Sequence, residues 1–207
     1  MTVDAELTGS PASGGGTRTT NTAKSLVREL AEVVVLAFIL YFVITFAVQT
    51  VHVIGESMVP TLSNDDYLIA TKIDYKLHQP RRGDIIIMRD PYDHTKDFIK
   101  RVVALPGEKL LIRNGQVYIN GQRLEEPYLA NNEPWTEQAD WPCATCDGEV
   151  MQANHFFVMG DNRNRSSDSR VFGPVAGDQI EARAVFRILP LSQIGFIDNQ
   201  HPVLETS

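Results

Sequence analysis

The hydrophobic pattern of the chain changes once, from one long apolar run to short segments separated by turns. From Val33 to Val48 every residue is apolar or is Tyr or Thr. About 20 residues of helix cross a bilayer core, and the run reaches that length with its mixed ends. The pattern therefore predicts a transmembrane anchor helix over residues 24–52. The alternatives are a buried core helix and a cleavable signal peptide, but the run is long and no A-x-A-like site follows it directly.

The flanks of this run predict its orientation. Arg18, Lys24 and Arg28 precede it, and His52 is the only candidate cation close behind it. The positive-inside rule then puts the N-terminus in the cytoplasm and the chain after about residue 52 on the far side. Residues 1–23 are rich in Thr, Ser, Gly and Ala, a composition that predicts a disordered cytoplasmic tail.

Beyond the anchor, short apolar runs alternate with turn signals. Two Asn-Gly pairs, Asn114-Gly115 and Asn120-Gly121, predict consecutive hairpins. The predicted strands are 67–70, 84–88, 98–105, 110–113, 116–119, 122–124, 155–159 and 180–189. With no long helical period in this region, we expect a mainly β, antiparallel β-sheet domain behind one transmembrane helix.

The expected domain division follows from these patterns. We expect the β domain to span residues 53–192, to contain an irregular polar insertion over about 127–148, and to end in a C-terminal tail over 193–207. No second spanning segment is predicted. The formal net charge of −7 argues against a nucleic-acid partner, which would normally meet a basic face.

The two cysteines, Cys143 and Cys146, lie inside the polar insertion. Zinc normally takes four protein ligands, and the sequence has no second cysteine pair to complete such a site. A local disulfide and two free thiols are the simplest interpretations on the far side of a membrane. No metal or organic cofactor is expected.

A serine near the end of the apolar run is the first candidate for chemistry. Ser57 lies in GESMVPTL, between a glycine that frees the backbone and a proline that stiffens it. A serine hydroxyl needs a base before it can act as a nucleophile. None of the five histidines lies beside an Asp in a recognisable triad motif, and G-x-S-x-G is absent around Ser57.

A lysine among apolar neighbours is the candidate base. Lys100 lies in FIKRVVALPGE, and strand alternation puts it on one face with Phe98 and Val102. Burial would lower the pKa of its amine from about 10.4 toward neutrality, as a base requires. An ordinary edge-strand lysine that reaches water is the alternative. A third stretch, GDNRNRSSDSR at 160–170, is a dense polar loop that could brace a site or be plain surface.

Together these stretches resemble the type I signal peptidases, the S26 family of Ser/Lys serine proteases. GESMVPTL resembles the serine box of the family, RRGDIII its next strand, KRVVALPGE its lysine box and GDNRNRSSDSR its C-terminal box. The four boxes occur in the family's order behind an N-terminal anchor. The resemblance implies the antiparallel β fold that signal peptidases share with LexA-type proteins.

The resemblance also implies roles for individual residues. Ser57 would be the nucleophile, Lys100 the general base, and the Ser57 backbone N–H a donor to the oxyanion. Ser166 matches the serine that orients the lysine amine. Scaffold and ion-pair positions are matched by Asp161, Asn162, Asp168 and Arg170. The family positions that line shallow substrate pockets are occupied here by Val51, Val53, Met58, Leu62, Ile87, Phe98 and Ile99.

Two departures from the family pattern stand out. Many members carry a serine two places before the nucleophile, but Gly55 occupies that place here, which leaves the oxyanion without that hydroxyl. Members of the family commonly have Asp-Asn after GDNR, whereas this chain has Asn164-Arg165, which changes the local charge.

The implied function is removal of signal peptides with Ala-x-Ala-like cleavage sites from secreted preproteins. The lipid bilayer is an expected partner and the secretion translocon a further candidate. A bacterial plasma membrane is the default location, and a thylakoid-type membrane is the alternative.

Three other functions compete with this interpretation. A dedicated Ser/Lys maturation protease with few substrates fits the same boxes. A self-cleaving repressor-type protein would be soluble and carry a DNA-binding segment, whereas this chain opens with an apolar anchor. An inactive, membrane-tethered peptide-binding domain would be expected to lack Ser57 or Lys100, and both are present.

Overall fold

The N-terminal part of the chain forms one long helix. The structure, a computed structural model, describes residues 18–93, 95–129, 140–143, 145–197 and 202–205, with side chains from Ser25 onward. Helix α1 runs over Arg18–Ala47. Its segment Ser25–Ala47 is long and apolar enough to cross a membrane. Of the predicted disordered tail, residues 1–17 lie outside the described part, while residues 18–23 have helical backbone instead.

The helix ends five residues before the predicted boundary at residue 52. Residues 48–52 form strand β1, Val48–His52, which pairs antiparallel with the strand at Tyr67–Thr71. Residues 48–52 have the sequence VQTVH, in which Val48, Thr50 and Val51 are β-branched and suit a strand, and pairing with a neighbouring strand sets the boundary. The expected helical anchor over 24–52 is therefore wrong for its last five residues.

The remaining strands form two antiparallel sheets. In chain order they are β2 Tyr67–Thr71, β3 Ile85–Arg89, β4 Asp97–Ala104, β5 Lys109–Arg113, β6 Gln116–Ile119, β7 Gln122–Glu125, β8 Glu149–Val150, β9 His155–Met159, β10 Val175–Ala176, β11 Ile180–Leu189, β12 Gly195–Phe196 and β13 Val203–Leu204. Two four-residue helices, α2 Asp74–Leu77 and α3 Ser169–Phe172, interrupt them. The predicted mainly β, antiparallel architecture is confirmed.

The first sheet contains β4, the strand of Lys100, and β1, which leads to Ser57. Its strand order is β1-β2-β11-β3-β4-β9-β10, and β12 pairs with β11. The second sheet has the order β13-β7-β6-β5-β8. Both Asn-Gly turns have positive φ at each residue, 50° and 71° at the first and 52° and 84° at the second, as tight hairpins require. The predicted hairpins β5–β6 and β6–β7 are confirmed.

The C-terminal segment is more ordered than predicted. Residues 195–196 form β12 and residues 203–204 form β13, so the expected tail over 193–207 adds a strand to each sheet. These strands are only two residues long, too short for a hydrophobic period to indicate them. In the insertion, residues 130–139 and 144 lie outside the described part, Trp141 forms an isolated bridge with Ile112, and Cys143 and Cys146 form a disulfide.

Three buried clusters hold the domain together, and β4 contributes to all of them. Strand alternation sends Val102 into one cluster and Val103 into another, as the period of two predicts. The cluster of Val103 joins β4 and β9 to the second sheet. The third, called here the gap cluster, has the members Val51, Val53, Met58, Leu62, Leu68, Ala70, Ile85, Ile87, Ile99, Ala182, Ala184 and Ile197.

Candidate active site

The hydroxyl of Ser57 and the amine of Lys100 lie within hydrogen-bonding distance. Lys100 Nζ donates to Ser57 Oγ at 3.1 Å and to the Ile99 carbonyl at 3.1 Å. Ser57 is in a turn after β1, and Lys100 is the fourth residue of β4. Strand β1 leads into the turn of Ser57, and strand β4 carries Lys100. The fold thus brings together two residues that are 43 positions apart in sequence.

Lys100 is buried, with an exposed fraction of 3%. Its Nζ lies 4.9 Å from the centroid of the Phe98 ring. Burial lowers the pKa of Lys100 to about 8, although the nearby carboxylates of Asp168 and Asp161 act in the opposite direction. At a pH near 8 about half of this amine is therefore neutral and able to accept a proton.

His52, the histidine nearest to Ser57 in sequence, contacts other side chains. His52 Nε2 lies 3.1 Å from Asp65 Oδ1, and its ring stacks on Tyr67 at a centroid distance of 4.5 Å. This His–Asp pair is exposed, and its carboxylate is on the turn before β2. The recorded partner of Ser57 Oγ is Lys100.

The 160–170 loop packs directly against the serine. Asn162 N–H donates to the Ser57 carbonyl at 3.0 Å. Gly160 leaves no room for a side chain, because a Cβ there would overlap the Ser57 carbonyl oxygen and Ser166 Oγ. Ser166 is buried, at 4% exposure. Ser57, Ser166 and Gly160 are thus mutual neighbours, as an active-site loop would require.

Two buried ion pairs fix this loop. Arg170 donates through Nε and Nη2 to the two carboxylate oxygens of Asp168, at 2.8 Å each. Asp168 also accepts from Gly160 N–H at 3.0 Å. Arg101 makes the same two-point contact with Asp161, at 2.8 and 2.7 Å, and both side chains are fully buried. Bidentate pairs of this kind constrain orientation as well as distance.

Several residues in this network were missed by the sequence reasoning. Arg101 lies in the predicted strand 98–105 with no predicted role, but besides its contact with Asp161 its guanidinium lies 3.9 Å from the Tyr128 ring centroid. Thr61 Oγ1 donates to Asp161 at 2.5 Å. Glu126 forms a buried ion pair with Arg163. A charged residue inside an apolar strand was the available signal for Arg101, whereas its partners are too distant in sequence to infer.

Two strand edges next to the dyad are open. Strand β1 pairs only with β2, and β4 pairs with β9 only from Arg101 onward. Within the described part of the chain, no strand pairs with the outer edge of β1 or with residues 97–100 of β4 on that side. Val51 of β1 and Ile99 of β4 both pack on the gap cluster, so both edges border the same apolar floor.

The predicted pocket residues divide between two clusters. Six of them belong to or pack against the gap cluster: Val51, Val53, Met58, Leu62, Ile87 and Ile99. Phe98 packs instead with the cluster that contains Val102, and its ring stacks with Phe172 at a centroid distance of 6.3 Å. Gly55 has a φ of +99°, with its N–H donated to Asn64 Oδ1 at 2.8 Å.

A family model described as signal peptidase, peptidase S26, matches residues 26–189. The chain belongs to that family. It is a hydrolase of the signal peptidase I type, and the predicted resemblance is confirmed.

Curated relatives agree with this membership. A probable signal peptidase I-1 of Synechocystis sp. is 41% identical over 169 residues, 78% of this chain and 80% of the relative. A signal peptidase I of Leptolyngbya laminosa is 40% identical over 159 residues, 73% of each chain. A signal peptidase IB of Staphylococcus aureus is 31% identical over 182 residues, 84% of this chain and 94% of the relative.

A solved signal peptidase I from Enterococcus faecalis V583 is 33% identical and has a TM-score of 0.43. The match covers 51% of this chain and 97% of that chain.

Proposed function

We propose that this protein is a membrane-anchored serine endopeptidase that removes N-terminal signal peptides from secreted preproteins with a Ser57/Lys100 dyad. The observation that carries the proposal is the 3.1 Å contact between Ser57 Oγ and the Nζ of a buried lysine. Family membership supports the substrate class, because the relatives are named signal peptidases. The assignment of the two roles rests on the chemistry of the contact.

The proposed reaction has two halves. Neutral Lys100 accepts the Ser57 hydroxyl proton as Oγ attacks the carbonyl carbon of the substrate residue at position −1. The tetrahedral intermediate collapses, the peptide C–N bond breaks, and the lysine proton passes to the leaving amine. Water then attacks the acyl-enzyme with Lys100 again as base, which releases the signal peptide and restores the Ser57 hydroxyl.

The backbone N–H of Ser57 is the proposed oxyanion donor. None of the residues that the structure describes accepts a hydrogen bond from it. Gly55 provides no hydroxyl, and its φ of +99° disfavours any side chain at that position. Backbone donation therefore carries more of the oxyanion stabilisation than it would with a serine there.

The other predicted site residues have supporting roles. Ser166 is proposed to orient the Lys100 amine. Asp161, Asn162, Asp168 and Arg170 are proposed to hold the loop that carries Ser166, a role supported by their contacts with Arg101, the Ser57 carbonyl and Gly160.

The substrate is proposed to bind as an added strand between β1 and residues 97–100 of β4. Main-chain hydrogen bonds to the open edges would give affinity, and the apolar floor would select small side chains at −1 and −3. Proposed lining residues are Val51, Val53, Gly55, Met58, Leu62, Ile87, Phe98 and Ile99. Such a floor suits Ala-x-Ala-like cleavage sites because a larger side chain would clash.

The apolar helix α1 is the proposed anchor in the cell membrane. The cations that precede the apolar run favour a cytoplasmic N-terminus and a catalytic domain on the other side, where secreted chains emerge. The bilayer and secreted preproteins are the proposed partners, with the translocon as a further candidate. A thylakoid-type membrane would preserve the same arrangement.

Substitution of each dyad residue tests the function. Ser57→Ala and Lys100→Ala should each lower preprotein cleavage in detergent by at least about a thousandfold, because each removes a group that takes part in the bond-making step. Matched controls are Ser63→Ala and Lys96→Ala, exposed residues that should leave cleavage within about twofold.

Full activity in either dyad variant would refute the assignment. Labelling of Ser57 by a serine-directed penem or β-lactam would separate an active enzyme from an inactive peptide-binding domain. Cleavage of a panel of unrelated preproteins would separate a general signal peptidase from a dedicated maturation protease.

A further inference from the structure

One exposed ion pair spans the two loops of the site. Arg165 Nη1 donates to Glu56 Oε2 at 2.6 Å, and the two side chains are 71% and 56% exposed. Glu56 directly precedes Ser57, and Arg165 directly precedes Ser166. The pair thus joins the serine turn to the 160–170 loop beside both functional serines.

The position of Glu56 creates an electrostatic conflict with the proposed mechanism. The peptide bond between Glu56 and Ser57 supplies the N–H that is proposed to receive the oxyanion. A carboxylate one residue away places negative charge near the developing negative charge and disfavours it. With no hydroxyl at Gly55 to add a further donor, this site tolerates the repulsion poorly.

Arg165 is placed to remove this conflict. Its main chain is held by the loop, since Arg165 N–H donates to the Asn162 carbonyl at 3.0 Å and Asn162 N–H donates to the Ser57 carbonyl at 3.0 Å. The guanidinium therefore reaches Glu56 from a backbone that is already fixed to the serine turn. Among the described residues, Arg165 is the recorded ion-pair partner of Glu56.

We infer that Arg165 is a positioning residue for the hydrolysis: it neutralises and holds the Glu56 carboxylate beside the oxyanion donor of Ser57. This inference rests on the proposed function and goes beyond it by giving a role to the arginine that departs from the common Asp-Asn sequence. Arg165 acts through Glu56 and touches no reacting atom. Because the pair is exposed, salt screens its effect.

The test compares the kinetics of four variants and one control variant of the full-length protein in nonionic detergent with one preprotein substrate. Arg165→Gln leaves the Glu56 charge uncompensated and should lower kcat about two- to fivefold at about 0.02 M salt, with KM nearly unchanged. The loss should shrink at about 0.5 M salt. Arg165→Lys keeps the charge and should keep most of kcat, and Glu56→Gln should not lower it.

The double variant Glu56→Gln/Arg165→Gln decides the question. If Arg165 acts through the Glu56 charge, removing both side-chain charges should restore kcat to within about twofold of the original. Arg123→Gln, which opens the exposed Arg123–Glu205 pair, is the matched control and should change nothing. A double variant as slow as Arg165→Gln would overturn the inference, as would a slow Glu56→Gln or a loss that salt does not reduce.

The same experiment separates this inference from the proposed function. If the unsubstituted protein cleaves no preprotein, the proposed function fails and the inference falls with it. If the unsubstituted protein cleaves and Arg165→Gln cleaves equally well at low salt, the proposed function stands and the inference alone is overturned.

Discussion

At the scale of single residues, the surroundings of Lys100 have opposing effects on its pKa. Burial favours the neutral amine, whereas Asp161 and Asp168 favour the ammonium ion. Each carboxylate is held by an arginine, Arg101 or Arg170, in a two-point contact. Arg170 also lowers the pKa of Lys100 and so offsets part of the carboxylate effect, while burial is the largest contribution and favours the neutral amine that a base requires.

The pH dependence of cleavage follows from this balance. Lys100 must be neutral to accept a proton, and burial lowers its pKa to about 8. We therefore expect kcat/KM to rise about tenfold per pH unit below about pH 7 and to level off above about pH 8.5, since kcat/KM reports groups of the free enzyme. The measurement is kcat/KM from pH 5.5 to 9.5 with a substrate that carries no titratable group near its cleavage site.

A profile that is flat or that falls from pH 6 to 9 would contradict a neutral lysine as the base. A midpoint between about 6 and 7 would instead indicate a histidine, whose unperturbed pKa lies there.

Sequence reasoning proposed Ser57 and Lys100 as a pair, and the structure places their side chains 3.1 Å apart, but several of the residues around them were not predicted. Ser57 and Lys100 follow from the family resemblance, because pattern alone favours an ordinary edge-strand lysine at position 100. Alternation fixes the face of a strand but not what packs across from it. Thr61 and Glu126 joined the site only through contacts with residues far away along the chain, at Asp161 and Arg163.

At the scale of elements, the 160–170 loop is held at its start by a close approach of main chains. Gly160 donates its N–H to Asp168 and lies against the Ser57 carbonyl and Ser166. The loop ends in α3, whose N-cap residue Asp168 accepts from Arg170 N–H at 3.2 Å. Asp168 thus accepts hydrogen bonds from main-chain N–H groups at both the start and the end of the loop.

A methyl group at Gly160 should disturb the site directly. Gly160→Ala would push Ser57 and Ser166 apart, because the added Cβ overlaps atoms of both. We expect kcat/KM to fall at least about tenfold and stability to fall by about 1–3 kcal/mol. The measurements are preprotein cleavage and thermal unfolding in detergent.

The matched control is Gly195→Ala, where an added Cβ meets nothing within 4 Å. This variant should retain both activity and stability. A fully active Gly160→Ala protein would show that the loop does not need its close contact with the serine turn.

Element boundaries show where sequence patterns stop being informative. The Asn-Gly hairpins were predictable because the turn residues carry their own backbone preference. The end of α1 was not, because the polar residues within 48–52 fit the mixed end of the anchor, whereas these residues form a strand that pairs with β2. Strands β12 and β13 are two residues long, and their partners lie elsewhere in the chain.

At the scale of the whole molecule, the chain divides into two units, Met1–Ile44 and Thr45–Ser207. All members of the three buried clusters lie in the second unit. Burial of apolar surface is the main stabilising contribution to a folded domain. The second unit therefore contains the core that it needs to fold.

Removal of residues 1–44 should therefore leave a folded, active domain. We expect a variant that begins at Thr45 to cleave a soluble peptide substrate within about threefold of the full chain, because the dyad and the gap cluster are retained. Cleavage of a preprotein in lipid vesicles should drop at least about tenfold, because the anchor no longer concentrates the enzyme at the membrane. Both rates are measured at equal enzyme concentration.

A truncated variant that is unfolded, or that loses peptide cleavage, would show that the helix contributes to the catalytic domain. Equal rates on vesicles for both forms would show that the helix does not concentrate the enzyme there.

The place of β11 in the first sheet has a consequence for biosynthesis. This strand is among the last to leave the ribosome, yet it lies between β2 and β3, which are made early. Until it arrives, the early strands lack their central partner, and the 160–170 loop that packs against the Ser57 turn also comes late. We therefore expect a nascent chain that already contains both Ser57 and Lys100 not to cleave substrates yet. The order of synthesis would then delay activity until the domain is nearly finished.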